Sequence, residues 1–189
     1  MKNARIRVGA LVTLLFFGVR CVWSSQEPNA NTYEAQSEYL RNFAEFIDWP
    51  SLTNQGAHQT INFCVLGHDP YGELLDKSIL GHRIGNRPTV IVRGRHLEDM
   101  GVCDVLFISR SETKSEDRIL QRLRNEEVLT IGDTEDFAAR GGVIQFVWEQ
   151  DHVGFLINVD AARRAGLKIH ASLLALARIV HDEPVKGRG

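Results

Sequence analysis

In "INFCVLGHDPYG", residues 61–72, a cysteine is followed four and five residues later by a histidine and an aspartate. A thiolate beside an imidazole base is a nucleophile, and the same residue types can seat a metal ion. The stretch reads as a buried strand that ends in a loop, and α/β proteins collect their sites at such strand mouths. Two observations argue against chemistry here. Cys64, His68 and Asp69 lie along one strand and loop, whereas triad members come from separate parts of a chain. The histidines, His58, His68, His82, His96, His152, His170 and His181, are scattered, with no pair at helical ligand spacing.

The compartment decides what Cys64 is. Lys2, Arg5 and Arg7 precede a run of twelve mostly apolar residues, 8–19, and the polar "RCVWSSQEPNA" follows. That order is a secretory signal peptide. The run is shorter than the roughly 20 residues that span a bilayer. Val22 and Ser24 suit the −3 and −1 positions, which places cleavage after Ser24. A lipoprotein anchor at Cys21 is the rival reading, but Arg20 stands where a small residue is wanted. An exported, periplasmic protein is expected. Loss of residues 1–24 removes four basic and no acidic residues, which takes the formal charge from −2 to −6. A chain of that charge argues against nucleic-acid binding.

Cleavage leaves Cys64 and Cys103 as the remaining cysteines. In an oxidising compartment two cysteines are most simply a disulfide. It would close a loop of about 40 residues and contribute about 4 kcal/mol in the chain-entropy model. The geometry is demanding. Cys64 sits inside its strand and Cys103 at the entry to another, and their Cα atoms must come within about 7 Å. A hydrolase or redox enzyme using Cys64 is the competing reading.

Two glycine-containing stretches could hold phosphate, "GHRIGNRP" and the pair Gly141 and Gly142. Neither has Walker spacing or G-x-G-x-x-G between a strand and a helix, and "ARGG" reads as a tight turn. In "INVDAARRAGLKIHASLLALA", Asn158, Arg163, Arg164, Lys168 and His170 cluster around a bend. They are a cap and a solvated face, or a recognition surface. In the second case Asn158, Lys168 and His170 are the candidate ligand- or partner-binding residues. No catalytic set, metal site or cofactor motif emerges.

The elements that position these residues follow from periodicity. Tyr39, Leu40, Phe43, Phe46 and Ile47 recur at helical spacing, with Thr32 as N-cap and Pro50 as the stop. Strands are predicted over 61–66, 89–92, 104–109 and 128–131. Helices or helical turns are predicted over 71–80, 95–100, 115–125 and 134–139. From Gly141 the pattern becomes two strands about a polar turn at 149–151, a β-hairpin. A short helix over 161–165 with Gly166 at C′ and an extended 167–169 come next. A helix over 171–181 would bury Leu173, Leu174, Leu176, Ala177 and Val180. The sum is a single α/β domain over 33–182. Its sheet is mostly parallel with helices on both faces, and a C-terminal hairpin and helix complete it. Residues 25–32 and 183–189 are expected to be flexible.

In order, "YLRNFAEFIDWP", "FCVLGHDPYGELL", "CDVLFIS", "VLTIGDTEDFAARGGVIQF" and "FLINVDAARRAGLKIHASLLALA" resemble the YfiR family over about residues 33–180. The resemblance implies a non-enzymatic periplasmic repressor that binds the periplasmic region of an inner-membrane diguanylate cyclase. It implies relief by an OmpA-like outer-membrane lipoprotein, and control of cyclic di-GMP and biofilm formation. It also implies a homodimer and a disulfide at Cys64 and Cys103. Some members carry a second, later cysteine pair that this sequence lacks. His170 stands where the family commonly has serine. A periplasmic small-molecule binding protein is the alternative.

Overall fold

The computed structural model describes residues 30–50, 59–149 and 152–182. The predicted signal peptide, residues 25–29, the stretch 51–58 with His58, residues 150–151 of the predicted polar turn and the tail at 183–189 lie outside them. Along the chain come α1 (Ala30–Glu45), β1 (Ile47–Asp48), β2 (Ile61–Leu66), α2 (Glu73–Ile79), β3 (Arg83–Ile84) and β4 (Arg87–Gly94). Next are β5 (Val105–Ile108), α3 (Glu116–Leu123), β6 (Leu129–Gly132), β7 (Ile144–Glu149) and β8 (His152–Asn158). α4 (Val159–Arg164), β9 (Lys168–Ile169), α5 (Ala171–Leu174) and β10 (Arg178–Val180) complete the order.

Eight strands form one sheet in the order β10-β8-β7-β6-β5-β2-β4-β3. The five strands from β4 to β7 run parallel. Numbered by sequence among themselves they stand in the order 2-1-3-4-5, a doubly wound arrangement whose switch point lies between β2 and β5. β7 pairs antiparallel with β8 from Ile144 opposite Ile157 to Glu149 opposite His152.

Every residue of β2 and β5 is buried, because side chains alternate between two covered faces. Ile61, Phe63, Val65, Val105 and Phe107 pack with Phe43 of α1 and Leu75 of α2. Cys64, Leu66, Leu106 and Ile108 pack with Ile119 and Leu120 of α3 and with Phe137. Helices therefore cover both faces. Phe137 lies flat on two glycines. A Cβ at Gly142 would sit 2.1 Å from its ring and one at Gly132 2.5 Å, so "ARGG" is a seat for an aromatic ring as well as a turn.

Three local expectations change. α1 begins at Ala30, so Thr32 lies buried in its first turn and is not a cap. Residues 134–139 form hydrogen-bonded turns, including Phe137 N to Thr134 O at 3.4 Å, and Asp136 has φ 57°. The largest change is at the C-terminal end. The predicted helix over 171–181 is a single turn, α5, and the chain then extends as β10 parallel to β8. Of the five side chains expected to be buried, Leu173 is (4 % exposed), while Leu176 is 76 % exposed. The open edge of β8 offers unpaired backbone groups, and Ile179 and Val180 are β-branched, so strand pairing overrides the helical spacing.

Candidate functional site

The loops at the carboxyl ends of β2 and β5 meet at the switch point. After β2, Gly67 has φ 92° and its N–H bonds Gly94 O at 2.9 Å. A Cβ there would lie 2.3 Å from Ser111 Oγ, and the His68 N–H donates to that oxygen at 2.9 Å. The Ser111 hydroxyl thus ties the two loops together at the switch point. Asp69 Oδ1 accepts from Tyr71 N at 2.8 Å, which builds the turn into α2. Its Oδ2 accepts from Arg93 Nε at 2.6 Å, and Arg93 reaches Asp76 Oδ1 at 3.0 Å. Arg93 of β4 therefore latches onto α2 through Asp76 and onto the turn before it through Asp69.

Cys64 is bonded to Cys103, with Cα atoms 5.9 Å apart. Cys103 is not in β5. It ends the segment that crosses the α3 face of the sheet after β4, so it approaches Cys64 from that face and not from the neighbouring strand's register. That resolves the geometric difficulty and leaves Cys64 without a free thiol. Among the described residues, no group of three or more His, Cys, Asp or Glu is placed to hold a metal ion.

Two charged groups are buried near the same end of the sheet. Asp133 Oδ2 accepts from Arg110 Nε at 2.8 Å, while its Oδ1 is buried without a hydrogen-bond partner. Burial, and then the Asp133 charge, hold the Tyr71 phenol well above its ordinary pKa. It stays protonated and donates to Gln36 Oε1 at 3.2 Å. Glu116 of α3 is fully buried. Its carboxylate accepts from Thr134 Oγ1 at 2.6 Å and pairs with Arg140. Burial pushes its pKa up, against the pull of the Thr134 hydroxyl and the Arg140 charge.

At the bend, Asn158 is fully buried and its amide is engaged by the fold. Oδ1 caps α4 by accepting from Asp160 N at 3.0 Å and Ala161 N at 2.9 Å. Nδ2 donates to Ala138 O at 2.7 Å and Asp182 Oδ1 at 2.9 Å. Lys168 and His170 stand at the other end of α4, where β9 pairs antiparallel with β1. His170 Nε2 lies 3.2 Å from Asp48 Oδ1, and its ring meets Phe46 edge-on at 6.2 Å. Lys168 borders a cleft of about 640 Å³ with Glu45, Asp48 and Arg87. Lys168 and His170 share one ribbon, and Asn158 is apart from them at the cap.

The YfiR/HmsC-like family model matches residues 33–178. The chain belongs to that family. This YfiR/HmsC-like chain is a doubly wound sheet whose last strand pairs with the hairpin edge. The fold is similar to a crystal structure of a conserved domain protein from Vibrio cholerae O1 biovar El Tor, with a TM-score of 0.53 at 13% identity. The likeness covers 77% of this chain, which spans 60% of that one. What sequence reasoning missed is the burial of two carboxylates, Asp133 paired with Arg110 and Glu116 paired with Arg140. "ISRSETKSEDR" looks like a solvated charged run, and only tertiary structure buries Glu116 within it.

Proposed function

We propose that this YfiR/HmsC-like protein is a periplasmic regulator that binds and represses an inner-membrane diguanylate cyclase, and so lowers cyclic di-GMP and biofilm formation. The observation that carries the reading is the family match over residues 33–178. The signal-peptide pattern of residues 1–24 supports export. No helix among the described residues is long and apolar enough to cross a membrane. Repression of this kind requires that the regulator bind one state of the cyclase better than the other. It needs surface, and no reacting group. Among the described residues β10 is the outermost strand of the sheet, with Ile179 within it and Leu176 before it exposed. An OmpA-like outer-membrane lipoprotein competing for the regulator would relieve repression, and a homodimer is the working unit.

A second reading, a periplasmic small-molecule binding protein, is favoured by the cleft that Lys168 borders and by the neighbouring His170. Asn158 enters it as the cap that fixes the bend. Deleting the gene and measuring cyclic di-GMP by mass spectrometry separates the two. A rise, reversed by the exported chain, supports repression. An unchanged level in a strain that carries a cognate cyclase refutes it.

A further inference from the structure

A cleft of about 360 Å³ lies between α3 and the segment that follows β4. It opens at the carboxyl ends of β2 and β4, since Leu66 closes β2 and Arg95 directly follows β4. Ligands of parallel α/β sheets bind at this end. The floor is apolar. Leu66 and Ile119 are buried, and Leu97 is half-buried.

The rim is charged, and its charges do not balance. Arg95, His96, Arg118 and Arg122 face Glu98 and Glu112. Both acids are engaged. Glu98 is ion-paired with Arg122, which ties the 3-10 turn Leu97–Asp99 to α3. Glu112 accepts from Ser115 Oγ at 2.8 Å and Ser111 Oγ at 3.4 Å. The side chains of Arg95 and Arg118 make no hydrogen bond or ion pair with any described residue. Two unengaged guanidinium groups over an apolar floor are unexpected in a chain of net charge −2. Their planar forks match carboxylate and phosphate geometry. The volume falls in the range of small-molecule sites, roughly 300–1,000 Å³.

The wall is also anchored. Cys103 ends the segment that carries Arg95, and its partner Cys64 stands two residues before Leu66 in β2. The disulfide joins wall to floor, so little ordering remains for a ligand to impose.

We propose that this cleft binds a small organic oxyanion, a carboxylate or a phosphate monoester, through Arg95 and Arg118, with its apolar body on Leu66, Leu97 and Ile119. The proposal does not depend on the regulatory reading. The test is isothermal titration calorimetry on the oxidised chain with phenyl phosphate, benzoate and inorganic phosphate. At least one of the first two binds at a single site, and inorganic phosphate, which has no apolar body, binds more weakly than phenyl phosphate. The stronger of phenyl phosphate and benzoate identifies the headgroup. R95Q/R118Q weakens binding at least tenfold, and K77Q, on α2 against the other face of the sheet, leaves it unchanged. Arg95 and Arg118 are exposed, and a thermal melt superimposable on wild type shows that the double variant is folded. The single variants R95Q and R118Q carry the same test if it is not. Equal binding by wild type and the arginine variants overturns the proposal. So does the absence of binding by both organic probes up to about 10 mM, weaker than any useful site.

Discussion

Breaking the Cys64–Cys103 bridge should remove a large part of this protein's stability. The residues are 39 apart in sequence. A loop of that size corresponds to about 4 kcal/mol of unfolded-state entropy, against total stabilities of about 5–15 kcal/mol for single domains. Both sulfurs pack in the cluster with Leu66, Met100 and Leu106. C64A/C103A therefore loses the link and the sulfur contacts together. Reduction of the wild type loses the link alone. Urea unfolding followed by far-ultraviolet circular dichroism separates the two effects. With a slope of about 2 kcal/mol/M, loss of the link lowers the midpoint by about 2 M. The double variant should fall further than the reduced wild type by the cost of the lost contacts. The reduced unfolded chain is more expanded, so the slope should rise as well. A loss under about 1 kcal/mol on reduction would show that the unfolded chain is already compact there, and the entropic argument would fail.

Two more outcomes follow from buried polar groups. N158A removes the α4 cap and the Nδ2 donor to Ala138 O and Asp182 Oδ1, so it should cost about 2–4 kcal/mol in urea unfolding. A loss below about 1 kcal/mol would mean that the bend repacks around the missing amide. For Glu116 the sign comes from its raised pKa. The folded state holds its proton to higher pH than the unfolded chain, so the folded state binds more protons just above the ordinary carboxylate range. The stability of wild type relative to E116Q therefore falls as pH rises through that range. Urea midpoints of the two proteins from about pH 4 to pH 7 check this, and a difference that is flat with pH refutes it.

The central sheet was legible because its signals are local. "INFCVL" and "VLFI" are unbroken apolar runs, the mark of strands covered on both faces. The turn residues after β2 were legible for a similar reason, since Asp69 and Pro70 carry turn chemistry in their own side chains. The end of the chain was not. "ASLLALARIV" has helical spacing, and the competing force is the open backbone edge of β8, which stands more than 20 residues earlier in sequence. Spacing records which faces are apolar and says nothing about an edge that needs a partner.

The same division governs the candidate sites. Cys64 was read as a staple from a count of cysteines and a compartment, and no distance was needed. The geometric objection to that reading assumed that Cys103 would approach along β5. The segment before β5 instead crosses the α3 face, where even-numbered β2 side chains point, so Cys64 and Leu66 share that face. The crossing also creates the arginine cleft, because it lifts Arg95 opposite Arg118 of α3, 23 residues away. Each arginine alone is an ordinary surface charge. What sets them apart is that the acids beside them are already engaged, Glu98 by Arg122 and Glu112 by two serine hydroxyls. That is a property of the folded neighbourhood, and no spacing in "VRGRHLEDMG" or "SETKSEDRIL" encodes it. Removing E98 in E98Q would release Arg122 as a third unengaged guanidinium. Oxyanion affinity should then rise if the cleft binds as proposed, whereas affinity set elsewhere on the surface would not move.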